Sequence, residues 1–238
     1  QEQVHVITKL DPLEWLSSDS SNKDITLGVE HSILTSCFNL GFNTLPVVLL
    51  HRFIHYQLYK GKIWAALISL RERGLIGELG ISVYFPEEAI KAIDDPDIKH
   101  IQVPFNLLDW RWKESGFPQL LERRPDITVY ARSAYLQGVL ISPPEYWPKV
   151  NIDAHELCNR LDALVKEFSF NNRKELCISY MLANKWIDST IVGIENQSQL
   201  SENLNLFCIE PLSADGVEKI DNTFRDIPQD LLNPSLWR

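Results

Sequence analysis

Basic residues are in short supply. There are 23 Lys+Arg against 32 Asp+Glu over 238 residues, a net charge of −9, so no broad attraction to nucleic acid or to an anionic membrane surface is expected. Any phosphate must be held locally. The four cysteines, Cys37, Cys158, Cys177 and Cys208, stand singly, without the short paired spacings of zinc or redox motifs, and read as reduced thiols in a cytoplasmic protein. The opening QEQVHVITKL has neither the basic segment nor the apolar block of a signal peptide, and no window approaches the apolar length of a membrane span. There is no G-x-x-x-x-G-K-[ST] phosphate loop and no G-x-S-x-G elbow. His51 and His55 have the i, i+4 spacing of a metal helix but lack the glutamate of H-E-x-x-H, and His155 and Cys158 have no second pair, so no metal is expected. With no repeat, low-complexity segment or Pro/Ser-rich linker, residues 1–238 read as one domain, and 45% hydrophobic residues suffice for a full core.

What the chain does have is a succession of short apolar runs: VHVITKL (4–10), LPVVLLH (45–51), LIGELGIS (75–82), IKHIQVP (98–104), DITVYAR (126–132) and STIVGI (189–194). Each is rich in Val and Ile and bounded by turn residues, which predicts six strands. Helical periodicity lies between them. Ile63, Trp64, Leu67 and Leu70 share one face, Leu157, Leu161, Leu164, Val165 and Phe168 another, and Pro86 with Glu87 and Glu88 opens a third helix. Strands alternating with helices imply a parallel sheet. Continuous Val/Leu runs suit strands covered on both faces, and such sheets carry their chemistry at the carboxyl ends of the strands. Those ends are Lys9, His51, Ser82, Gln102, Arg132 with Ser133, and Gly193. Taken singly, Lys9 also reads as a solvated terminus, His51 as a structural histidine and Gln102 as a loop cap; as a set they suggest the rim of one pocket. Trp110 and Trp112 fit either packing on a barrel rim or lining a sugar-sized pocket.

The stretches VITKL, VVLLHRF, WAALISLRERGLIGELGIS, IQVPFNLLD, ARSAYLQGVL and IVGIENQSQLSENL, with the ending NPSLWR, resemble the aldo-keto reductases, in particular bacterial members linked to polysaccharide and sugar-nucleotide pathways. The resemblance implies a (βα)8 TIM barrel that binds NAD or NADP in extended form without a glycine-rich Rossmann fingerprint, and acts as an oxidoreductase on a small-molecule carbonyl or alcohol. By the same resemblance Lys9 and His51 match the lysine and histidine of an Asp-Tyr-Lys-His tetrad. Ser82 and Gln102 match the holders of the nicotinamide carboxamide, and Arg132 stands where a tyrosine stacks on the nicotinamide. Ser133 to Gln137 match the loop along the pyrophosphate, and Glu202 and Asn203 match residues near the adenine. Gly193 and Gln199 occupy positions where NADP-specific members carry a lysine and an arginine, so NAD is expected to bind at least as well as NADP. Val83 replaces a common asparagine.

The roles have a physical logic of their own. A tyrosine near its ordinary pKa of about 10 is a poor acid at neutral pH. An adjacent lysine favours the phenolate and makes the phenol more acidic, while a histidine can fix the angle of the substrate oxygen. The segment that would carry the aspartate and tyrosine precedes the lysine strand in the family, so the first two βα units of the barrel are expected to be missing from residues 1–238. A catalytically impaired, reductase-like binding or regulatory domain is the alternative.

Overall fold

The computed structural model describes residues 4–237. Every apolar run becomes a strand: β1 (Ile7–Lys9), β2 (Leu45–Leu50), β3 (Ile76–Ser82), β4 (Ile98–Pro104), β5 (Thr128–Arg132) and β6 (Ser189–Thr190). They hydrogen-bond in the order β1-β2-β3-β4-β5-β6, and each described pairing is parallel. Sequential parallel order with helical crossovers is that of a (βα)8 barrel wall, and the described residues supply six such strands. The STIVGI run is strand for two residues only, extended by an Ile191 N–H bond to the Ala131 carbonyl of 2.7 Å.

The chain divides into two compact units, Gln1–Val103 with Gln119–Val129, and Pro104–Pro118 with Tyr130–Arg238. In the first, α1 (Asn22–Leu40) begins at a capping box, where Ser21 Oγ accepts the Asp24 N–H at 3.2 Å and Asp24 accepts the Ser21 N–H at 3.1 Å. It ends on left-handed Gly41. Its inner face buries Ile25, Val29 and Ile33. The next helical segment, α2 (Ile54–Glu72), is broken at Leu58–Gly61, where Tyr59, Lys60 and Gly61 are all left-handed. The expected apolar face of Ile63, Trp64, Leu67 and Leu70 is buried beyond the break. α3 (Pro86–Ala92) follows, its start held by Glu88 accepting the Tyr84 N–H at 2.7 Å. Strand β3 is closely confined at Gly80, by β4 and by a β2 side chain. A Cβ there would lie 2.2 Å from the His100 carbonyl and 2.6 Å from Leu49 Cδ2, so only glycine fits.

The second unit carries α4 (Arg111–Glu114), α5 (Phe117–Leu121, partly), α6 (Ala154–Glu167), α7 (Arg173–Ala183), α8 (Gln197–Leu206) and α9 (Ala214–Thr223). Asp153, Asn172, Asn196 and Ser213 cap the last four. Trp112 belongs to the core: fully buried, its ring stands 5.5 Å from Phe117 and 6.2 Å from Trp186. Trp110 is tied by its indole N–H to the Ile227 carbonyl at 2.9 Å. Trp112 therefore serves packing, within the core and not on a rim. Asp109 and Arg111 form a buried bidentate pair at 2.7 Å. Cys37, Cys158 and Cys177 are buried thiols, whereas Cys208 is exposed. No described helix is long and apolar enough to cross a membrane.

Candidate functional site

In the first unit the four expected strand ends lie on adjacent parallel strands, so they emerge on the same side of the sheet. Lys9 closes β1 opposite Leu49, and His51 follows the last residue of β2. The two are close enough for the Lys9 ammonium to act on the imidazole. Burial, then Lys9, then Arg52 hold the His51 pKa below its ordinary value, while a hydrogen bond to the Leu10 backbone and the Asp11 carboxylate act in the opposite sense. Lys9 also lines a groove of about 640 Å³ with Asp11, Trp15, His31 and Ser32, which includes no tyrosine among the described residues. Asp11 is fixed there, its N–H donating to Ser32 Oγ at 3.0 Å and its carboxylate accepting the Leu13 N–H at 2.8 Å.

On the next two strands Ser82 and Gln102 are register partners. Both are buried, and Ser82 Oγ donates to Gln102 Oε1 at 3.3 Å. A hydroxyl and a carboxamide side by side at strand ends can meet a ligand amide with both a donor and an acceptor. The neighbouring Val83 has an apolar side chain, and its N–H is used on the Gln102 carbonyl at 2.9 Å.

In the second unit, Arg132, Ser133, Gln137 and Gly193 line one pocket of about 420 Å³ together with Tyr135. The loop that shapes it has four left-handed residues, Ser133 (φ 66°), Leu136 (46°), Gln137 (55°) and Gly138 (87°). For the three that are not glycine this costs roughly 1–2 kcal/mol each. The loop is held by its own turns, in which the Leu136 and Gly138 N–H groups donate to the Ser133 and Tyr135 carbonyls at 2.8 and 2.9 Å. The Tyr135 hydroxyl is buried there without a partner, and its pKa is pushed up by burial, then by Cys177 and Glu202.

Gln199, Glu202 and Asn203 lie on α8, outside that lining. The Gln199 side chain accepts the Glu195 N–H at 2.7 Å and so closes the turn before the helix. Asn203 accepts the Phe207 N–H through its carbonyl. Glu202 faces a second pocket of the same unit, about 530 Å³, where it pairs with Lys174 at 2.5 Å. No group of three or more His, Cys, Asp or Glu suited to a metal occurs among the described residues.

Three side chains of these sites had no role in the sequence reading: Asp11, His55 and Lys174. Asp11 could have been found two residues beyond Lys9. His55, whose spacing from His51 suggests only a metal helix, is buried with Nδ1 unpartnered. Lys174 meets Glu202 across 28 positions, which no local spacing reveals.

Among known proteins, the chain is similar to the uncharacterized oxidoreductase YqkF of Bacillus subtilis (strain 168), at 26% identity over 188 residues, covering 72% of this chain and 60% of that protein. It thus spans well under two thirds of that curated relative's length. Among solved structures it is similar to aldo-keto reductase AKR11C1 from Bacillus halodurans, with a TM-score of 0.73 and 21% identity to the apo form over 92% of this chain and 71% of that one. For the holo form the TM-score is 0.70, over 91% and 70% of the two chains. This likeness concerns the fold, where the six sequential parallel strands find their counterpart. Residues 1–224 match the model of the aldo/keto reductase family, and the chain belongs to that family.

Proposed function

We propose that the protein is an NAD(P)-dependent oxidoreductase acting on a carbonyl or alcohol of a sugar-derived small molecule. The observation that carries the reading is the succession Lys9, His51, Ser82, Gln102 at the carboxyl ends of four neighbouring parallel strands. The residues present suit a nicotinamide coenzyme. Ser82 and Gln102 would hold the carboxamide, and the left-handed loop Ser133–Gly138 the pyrophosphate. Arg132 would lie against the nicotinamide, its guanidinium plane replacing an aromatic ring. Gly193, Gln199, Glu202 and Asn203 would border the adenosine. When bound, the coenzyme supplies or accepts the hydride.

The chain's own residues then have two tasks. His51, neutral over most of the physiological range because its pKa is lowered, orients the substrate oxygen with the ring nitrogen not used on Leu10. Lys9 acidifies a phenolic proton donor. Tyr56 is not that donor: it donates to Asp95 at 2.7 Å and its pKa is raised to about 12, the wrong direction for an acid at pH 7.

Tryptophan quenching on titration with NADH and NADPH tests the coenzyme; binding of NADH at least as tight as NADPH is expected, and absence of quenching by either rejects the reading. For the protein as it occurs in the cell, Lys9→Met and His51→Ala should leave the fold intact and reduce carbonyl turnover by at least a hundredfold. Unchanged turnover would remove both from the chemistry. Coenzyme binding with no turnover would instead favour a reductase-like binding domain, for which the apolar Val83 and the missing cations at Gly193 and Gln199 speak.

A further inference from the structure

The pocket of about 530 Å³ in the second unit is lined by two cations, Arg173 and Lys174, and two carboxylates, Asp162 and Glu202. The cations are not equivalent. Arg173 is fully engaged: Nε and Nη2 bind Asp162 at 2.7 and 2.8 Å, and Nη1 donates to the Ser142 carbonyl at 3.0 Å and lies 3.3 Å from Cys158 Sγ. Lys174 pairs with Glu202 at 2.5 Å, and both side chains remain more than a third exposed. Such a solvated pair opens readily. Arg173 is thus a fixed part of the wall, and Lys174 is the cation that a ligand could claim.

The 420 Å³ pocket and this one flank one loop. Residues 132–135, 137 and 138 line the first, and Ile141, Ser142 and Pro143 the second. Tyr135, on the first pocket, has a buried hydroxyl without a partner and lies near enough to Glu202 for the carboxylate to raise its pKa. Glu202 therefore has an alternative to Lys174: a buried hydroxyl that needs an acceptor. With Glu202 on Lys174 the pocket is electrically balanced, which suits an uncharged ribose. With Glu202 turned to Tyr135, Lys174 is open to an anion.

We propose that the Lys174–Glu202 pair is the specificity determinant for the adenosine side of the coenzyme, holding Lys174 neutralised so that a 2′-phosphate is disfavoured. The inference rests on the coenzyme reading above. The reasoning is one of charge: a 2′-phosphate brought to a balanced pocket must displace a carboxylate from a cation, whereas a 2′-hydroxyl need not.

The test is titration of NADH and NADPH by tryptophan quenching with the full chain, its Glu202→Gln and Lys174→Met variants, and the double variant. Glu202→Gln should tighten NADPH roughly tenfold relative to NADH, about the share of one charge-assisted hydrogen bond. The gain should vanish in the double variant and shrink at high salt. Lys174→Met alone leaves the Glu202 carboxylate unbalanced and should weaken NADPH further relative to NADH. Binding of both coenzymes with an unchanged ratio in Glu202→Gln overturns this proposal and leaves the coenzyme reading standing; so does a gain that survives loss of Lys174. Failure of both NADH and NADPH to bind the parent chain overturns the coenzyme reading and this proposal together.

Discussion

A Cβ placed on Gly193 meets nothing within 4 Å, so a side chain can begin there, beside the 420 Å³ pocket, without a clash at its first atom. Gly193→Lys should keep its stability and tighten NADPH roughly tenfold with little change for NADH, which the same quenching titration reads. Gly80 stands at the other extreme. Its would-be Cβ collides with the His100 carbonyl on one side and Leu49 on the other, and backbone cannot swing away as a side chain can. Gly80→Ala is expected to destabilise by about 1–3 kcal/mol, as overpacking does, measurable as a lower urea midpoint. The histidines behind the β2 end give a pH dependence of definite sign. His55 is lowered by burial, then by His51 and Arg52, and His51 by burial, then by Lys9 and Arg52. The folded rings are neutral where unfolded rings, near 6.5, already take up protons. Their contribution is therefore complete above about pH 6.5 and is lost as the pH falls from there toward the folded values. The urea midpoint should drop between about pH 7.5 and pH 5, and drop less in His55→Leu than in the parent; equal drops would contradict the assignment.

At the level of the elements, α1 explains both what could be read from the residues and what could not. The strands were legible because their Val- and Ile-rich runs are continuous and end on polar residues, and every one of the six lies within its expected run. Helix α6 was legible because one face alone is apolar, with Leu157, Leu161 and Leu164 buried. By contrast α1 carries apolar residues all round. Ile25, Val29 and Ile33 are buried, yet Leu27, Leu34 and Phe38 are 51%, 48% and 87% exposed, so no single stripe marks the helix. Of the site, the strand-end residues were legible from position. The Lys174–Glu202 pair was not, since it joins two helices far apart in sequence. The outer residues of α1 recur at seven and four positions, and β1 beside it is at one end of the strand order. Exposed apolar stripes and open strand edges both promote association. Residues 1–238 expressed alone should self-associate at micromolar concentration, and Leu34→Lys with Phe38→Glu should reduce this. Light scattering across a dilution series reads the outcome; a monodisperse monomer in the unaltered chain would count against it.

For the molecule as a whole, the distribution of polar strand ends argues for coenzyme binding more strongly than for turnover. Lys9 lines a groove with Asp11 and His31, and no tyrosine is among the described residues that line it; proton transfer to a carbonyl oxygen needs an acid within hydrogen-bond reach. A polypeptide of 27.4 kDa comprising residues 1–238 is therefore expected to bind nicotinamide coenzyme and reduce carbonyls poorly. Intact mass measured alongside activity decides this, for brisk reduction at that mass would require another acid. Thiol placement makes the binding experiment simpler. Three of the four cysteines are buried, and burial raises Cys177 to about 12, where almost no reactive thiolate exists at neutral pH. Cys208 alone is exposed, just past the end of α8, the helix that bears Glu202 and Asn203. A maleimide dye added to the unaltered native protein should thus attach at a single position, giving a fluorescent reporter beside the helix proposed to border the adenosine, with no substitution at all.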